Sequence, residues 1–263
     1  MPHTITKTRA DAPAGFFEAE SAGLAWLAHA TALGGVRVVG VQRVAPGLIE
    51  LERVDETNPT RSQADAFGAA LTHTHSAGAA AFGSPPEGYA GPLFIGRRPL
   101  TSARQTRWGR FYARDRVLPF VRAAVEAHTV TEREERVIRS ACDRIEAGDF
   151  DDREPPARLH GDLWTGNVLW SSDGAVLIDP AAHGGHRETD LAMLSLFGLP
   201  HLETVLAAYE REARAMGEPL RAGWRERVPV HQLHPLAVHA AGHGRSYGVA
   251  LVDAAERTLA LIP

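Results

Sequence analysis

LHGDLWTGNVLWSSDGAVLIDP, residues 159–180, is the stretch that decides the fold. It offers Asp162, then Asn167 five residues on, then Asp179 at the end of a strand-like run. The segments 157–170 and 175–180 read as strands, and Ser-Ser-Asp-Gly between them is a turn sequence. A hairpin on that turn brings Asn167 and Asp179 to one end of a ribbon. The set suits phosphoryl transfer, which needs positioning and charge neutralisation rather than covalent help. Asp162 can accept or orient the proton of an acceptor hydroxyl. The Asn167 amide oxygen and the Asp179 carboxylate are hard oxygen donors of the kind Mg²⁺ prefers. The plainer alternative is a hairpin with surface Asp and Asn at its turns. Either short motif alone would say little, and the two together at this separation favour the chemical reading. His160 reads as a hydrogen-bonding residue of the loop, because Asp162 already fills the place of a base.

Upstream, TITKT (4–8) is β-like and carries Lys7, the only lysine among 28 basic residues. A run with helical spacing follows at 16–28, and then two strands at 36–44 and 47–55 joined by the turn Ala-Pro-Gly. From residue 56 the character is helical: 61–78, 107–128 and 131–148, then 188–198, 201–217 and 229–244. A Gly/Pro-rich loop at 82–99 is too long for a simple connector, which marks it for function. The plan is α+β and two-lobed. Residues 1–55 form a small lobe of about three antiparallel strands and one helix, and 56–263 form a large helical lobe carrying the Asp162 loop.

The bulk properties narrow the classes. A chain of 263 residues with 44% hydrophobic and 23% charged residues is ordinary for a soluble globular protein. A net charge of −4 argues against a nucleic-acid or anionic-membrane partner. No apolar run reaches the length of a membrane span, and the first thirty residues lack a signal-peptide pattern. A single cysteine, Cys142, on a helical stretch excludes an intramolecular disulfide and fits a cytoplasmic location with a buried thiol. His231, His234, His239 and His243 do not share one helical face, which disfavours a metal site.

The runs HGDLWTGNVLW (160–170) and IDPAAHGGHRETDLAM (178–193) resemble the fructosamine kinase, or ketosamine-3-kinase, family. That family is a branch of the protein-kinase-like fold related to aminoglycoside and choline kinases. Further similarity lies in FFEAESAGLAWLA (16–28), LIELERVD (48–55), FYARDRVLPF (111–120) and HQLHPLAVH (231–239). The resemblance implies ATP- and Mg²⁺-dependent phosphorylation of the C3 hydroxyl of a ketosamine or glycated amine. The 3-phosphate is unstable, so the sugar then leaves and glycation is reversed. It implies Asp162 as catalytic base, with Asn167 and Asp179 as Mg²⁺ ligands. Lys7 is implied at the ATP phosphates with Glu20 as its helix partner, although Glu18 competes. Backbone groups of Glu52, Arg53 and Val54 would lie near adenine. Trp164 would stack on the sugar or its amine, or equally fill space between lobes. Trp108 and His186 are implied near the substrate, and Asp190 as an anchor of the catalytic loop.

Kinase-like proteins place a phosphate-covering hairpin ahead of the lysine strand, and only six residues precede Lys7. The expectation is therefore a truncated small lobe whose Lys7 strand is a sheet edge, open to pairing in a homodimer. Two other readings stay open: a nucleotide-binding scaffold without turnover, and a phosphotransferase of the aminoglycoside or choline kinase type.

Overall fold

The computed structural model describes residues 4–262. Strand β1 (Thr4–Thr8) leads through Gly15, at φ +83°, into helix α1 (Phe16–Ala28). Phe17, Leu24 and Leu27 of α1 are buried, each such side chain contributing about 1.5–3 kcal/mol.

The run 36–44 is not one strand. It splits at Val39 and Gly40 into β2 (Arg37–Val38) and β3 (Val41–Ala45), followed by β4 (Leu48–Glu52). The Glu52 carboxylate pins the break by accepting from the Gly40 amide at 3.1 Å and pairing with Arg37. β1, β4 and β3 form an antiparallel sheet in that order, with Lys7 opposite Ile49 and β1 on its edge. The split sends β2 into a different sheet, described below.

Helix α2 (Arg61–Ser76) opens on a Thr60–Gln63 capping box. The Gly/Pro-rich loop holds a short hairpin, β5 (Leu93–Ile95) and β6 (Arg98–Leu100), which its composition did not announce. The single helix expected over 107–128 is α3 (Trp108–Phe111), a π turn over Tyr112–Val117, and α4 (Leu118–Glu126). Helix α5 (Glu132–Ala147) has its own Thr131–Glu134 capping box and ends at Gly148. It buries Cys142, and that burial pushes the thiol pKa up to about 12.

Strand β7 (Ala157–Leu159) then enters the loop of Asp162, which passes through a 3₁₀ turn (Thr165–Asn167) into β8 (Val168–Ser171) and β9 (Gly174–Leu177). The hairpin pairs Val168 with Leu177 and Ser171 with Gly174, as the turn sequence requires. β2 adds to β9 in parallel, tying the small sheet's connection to the β8–β9 hairpin. β10 (His183–Gly185) returns antiparallel to β7. Helices α6 (Arg187–Leu196), α7 (Leu202–Ala215), α8 (Val228–His243) and α9 (Arg245–Ala260) complete the chain.

Two hydrophobic cores flank the hairpin. Leu24 and Ile49 share one with Leu71 of α2, Val176 of β9 and Val205 of α7. α2 and α7 approach closely at Gly68, where a Cβ would lie 2.1 Å from the Val205 carbonyl oxygen. Phe111, Val121, Ile138, Leu233 and Leu251 belong to the other core, built from α3, α4, α5, α8 and α9.

Candidate active site

The loop after β7 is held by its backbone. Asp190, buried at the start of α6, accepts from the amides of His160 at 2.7 Å and Gly161 at 3.0 Å, and contacts His75 Nε2 at 3.2 Å. Burial alone would raise the Asp190 pKa, but the bonds and charge from His75 and His160 outweigh it and lower it. Gly161 sits at φ +81°, and a Cβ there would lie 2.2 Å from the Ala181 carbonyl oxygen, so only glycine fits. His160 donates from Nε2 to the Ile178 carbonyl at 2.9 Å and accepts the Asp162 amide at Nδ1. It is a loop-fixing residue, and burial keeps its imidazole below the ordinary range.

Asp162 therefore projects from a rigid turn. Asn167 Nδ2 donates to its backbone oxygen at 2.8 Å and to Oδ2 at 3.1 Å, which fixes the five-residue spacing as a geometric unit. Burial raises the Asp162 pKa to about 7; the Asn167 bond opposes the rise, and the charges of Asp190 and Asp179 add to it. A carboxyl group poised there is suited to general base work near neutrality.

Asp179 follows β9 at φ +52°, a left-handed conformation that Asp tolerates better than most residues. Its carboxylate pairs with Lys7 Nζ, and Lys7 Nζ lies 2.9 Å from Glu20 Oε1. Burial alone would lower the Lys7 pKa; the charges of Glu20 and Asp179 outweigh it and raise it, so the ammonium is held charged. Burial raises the Glu20 pKa, against the pull of Lys7 and with the push of Asp179. Glu20, not Glu18, is the lysine's partner.

One cleft of about 290 Å³ is lined by Glu20, Asp162, Trp164, Asn167 and Asp179 with Phe16 and Phe94, and Lys7 is tied to its wall through Glu20 and Asp179. Phe94 comes from the β5–β6 hairpin, so the Gly/Pro-rich loop does reach the site. Its length was the only sign of this in the sequence. Trp164 packs edge-on against Phe197 with centroids 5.7 Å apart while lining the cleft.

Other residues are placed elsewhere. His186 caps α6, accepting the Glu188 amide at Nδ1 and meeting Asp152 at 3.2 Å through Nε2. Trp108 is buried against Tyr112 and His231. Neither borders the cleft, so the structure does not bring these two to the substrate side. Arg53 is exposed, and Glu52 uses its side chain on Arg37 and Gly40. Val54 packs against the core of α1 and β4. Sequence reasoning also missed that His186, Glu188 and His231 converge within 4.8 Å of one another. Their bonding capacity is taken up: Arg227 grips both Glu188 oxygens, Thr189 Oγ1 meets His231 Nδ1 at 3.0 Å, and His186 is bonded at both nitrogens.

The donor set suits a hard divalent cation. Asn167 turns its amide nitrogen onto Asp162, which directs its oxygen away, and the Asp179 carboxylate is 43% exposed. The arrangement can hold an acceptor hydroxyl at Asp162 and offer the Lys7 ammonium, beside Asp179, to a phosphate chain.

Comparison with known proteins agrees. The fructosamine kinase family model matches residues 4–260. A protein of Enterococcus faecium named probable ketoamine kinase is 31% identical over 236 residues, covering 89% of this chain and 79% of that one. A Thermobifida fusca crystal structure assigned as a fructosamine-3-kinase superposes with a TM-score of 0.88 at 43% identity, covering 98% of this chain and 86% of that one. A choline kinase of Streptococcus pneumoniae, at 17% identity and a TM-score of 0.65 over 99% of this chain and 87% of its own, shares the fold. The match of the family model along nearly the whole chain, the identity to the relatives over most of their lengths and the shared kinase-like α+β architecture make this protein a member of the fructosamine kinase family.

Proposed function

We infer that this protein transfers the γ-phosphoryl group of ATP to a sugar hydroxyl of a ketosamine, of ribulosamine or fructosamine type, and so serves deglycation. The observation that carries this reading is the meeting of Glu20, Asp162, Asn167 and Asp179 around one cleft, with Lys7 paired to both Glu20 and Asp179. Asp162 takes the proton of the attacking hydroxyl, while Asn167 holds its carboxylate in one orientation. Lys7 presents a compact ammonium to the phosphate oxygens, and Glu20 fixes its direction. Asn167 and Asp179 would hold Mg²⁺, which when bound neutralises phosphate charge and aligns the chain of phosphates. Trp164 offers an aromatic face at the mouth of the cleft, suited to the sugar or to a cationic amine beside it. The adenine is assigned to the backbone after β4, at Glu52 to Val54.

A panel tests the acceptor class. Fructosyl- and ribulosyl-amines, an aminoglycoside and choline are incubated with ATP and Mg²⁺, and the phosphorylated product is quantified. The reading predicts turnover on the ketosamines at least tenfold above the other acceptors. Preferred turnover of the aminoglycoside or choline, or turnover of none, would overturn it.

A further inference from the structure

Asp162 also borders a second, small cavity with room for about one water molecule. Asp162 and Gly161 form one wall, Ile95 and Met193 are apolar walls, and His234 of α8 closes it. Helix α8 runs on through Pro235 at this point, which has no amide to bond the His231 carbonyl. Tyr112 supplies the missing donor: its hydroxyl donates to the His231 carbonyl at 2.7 Å and accepts the His234 amide at 3.0 Å. The π turn that carries Tyr112 also carries Arg116, and His234 Nδ1 lies 3.0 Å from the Arg116 carbonyl oxygen.

This contact settles the tautomer. A carbonyl oxygen only accepts, so the proton sits on Nδ1 and Nε2 bears a lone pair. Burial, with the Arg116 guanidinium and His183 close by, holds the imidazole pKa well below its usual range, so the lone pair persists at neutral pH. His234 is buried, and its Nε2 has no hydrogen-bond partner among the described residues. A buried acceptor left without a donor costs about 1–3 kcal/mol, which native interiors rarely tolerate without a reason. The other polar groups on the cavity wall do not serve it. Asp190 has both oxygens bonded, Thr189 is engaged with His231, His239 spends its Nδ1–H on the Pro235 carbonyl at 2.7 Å, and the Asp162 carboxylate, in the ionised form that a base requires, is itself an acceptor. The cavity thus presents acceptors, Nε2 of His234 and the Asp162 carboxylate among them, and calls for a hydroxyl donor.

We propose that His234 Nε2 accepts a hydrogen bond from a second hydroxyl of the acceptor sugar and so orients the sugar while its neighbouring hydroxyl lies on Asp162. This rests on the phosphotransfer reading above. His234 is a specificity-determining residue here, selecting acceptors that carry adjacent hydroxyls, and a water fills the slot when no sugar is bound. An acceptor with a methylene at that position leaves Nε2 unpaired and is rejected, as sites built to bond a hydroxyl reject deoxy analogues.

The experiment uses ribulosyl-glycine and its 4-deoxy and 5-deoxy forms with wild type and His234→Asn. Asparagine keeps a donor for the Arg116 carbonyl and removes the Nε2 acceptor. In the wild type, the 4-deoxy compound, which lacks the neighbour of the C3 hydroxyl, should lose at least about tenfold in kcat/KM relative to the parent. In His234→Asn the parent should fall by a similar factor with the KM for ATP unchanged, and the penalty for that deoxy compound should vanish. Equal deoxy penalties in the two proteins would overturn the inference. Lack of any ketosamine turnover by the wild type would instead overturn the phosphotransfer reading, and this inference with it. A second measurement needs neither a variant nor turnover. In ¹⁵N-histidine-labelled wild type, the His234 Nε2 resonance should shift on adding ribulosyl-glycine and stay in place with the discriminated deoxy compound. The same shift with both would also overturn it.

Discussion

Lys7 shows how one side chain is read at two levels. Its sequence context, a β-like run ahead of a helix with two glutamates, left Glu18 and Glu20 as rival partners. The structure selects Glu20 at 2.9 Å and adds Asp179, 172 residues away. No local pattern could have shown the second contact, because it depends on where the β8–β9 hairpin ends relative to β1. Replacing the lysine removes a positive charge from between two carboxylates. Lys7→Met should lower kcat/KM for ATP by about 10²–10³-fold, the range seen when one charge-stabilising donor is removed. Initial-rate kinetics at varied ATP check this, and a loss under threefold would contradict the role. The assignments of His186 and Trp108 show the opposite limit. His186 stands in a sequence run shared with the family and Trp108 three residues ahead of another, yet each side chain is spent on internal contacts. Sequence proximity to a catalytic loop does not reveal which way a capping histidine faces.

Among the elements, the catalytic loop and its hairpin were the most legible, since a turn sequence, two apolar runs and the spacing of three polar residues all agree. The helices with capping boxes were legible too, from Thr60 and Thr131 onward. Harder to read were the breaks. The strand over 36–44 divides because Glu52 claims the Gly40 amide, and the helix over 107–128 loosens into a π turn because Tyr112 and Arg116 are drawn towards α8. Both causes are long-range. The coupling between the π turn and Pro235 yields a quantitative expectation. Tyr112→Phe strands the His231 carbonyl and the His234 amide and should cost about 1–3 kcal/mol for each group that finds no other partner. Pro235→Ala restores a helical donor for the His231 carbonyl, so the tyrosine should matter less in that background. Urea unfolding of both single variants and the double variant measures the coupling. Strict additivity would show that the tyrosine does not compensate for the proline.

Across the whole molecule, buried histidines set the response to acid. Burial lowers the His231 pKa to about 4 and, with the nearby Arg116 charge adding to it, the His183 pKa to about 3, against an ordinary 6.5. Below pH 6.5 the unfolded chain takes up protons at these positions while the folded one does not, so folding stability is full above 6.5 and declines towards pH 4 and 3. The urea midpoint should fall steadily between pH 6.5 and 4, and a flat profile there would contradict the burial argument. The fold's larger result is that two cores, one shared by α1, β4, α2 and α7 and one by α3, α5, α8 and α9, hold the Asp162 loop rigid between them. The account rests on that loop performing phosphotransfer. The direct measurement is ³¹P NMR of ribulosyl-glycine with ATP and Mg²⁺, wild type beside Asp162→Asn, with thermal midpoints recorded for both. A ketosamine phosphomonoester should form with the wild type and slow by about 10²–10⁴-fold in a variant that stays folded. Equal rates in the two proteins, or no phosphomonoester from a folded wild type, would contradict the account.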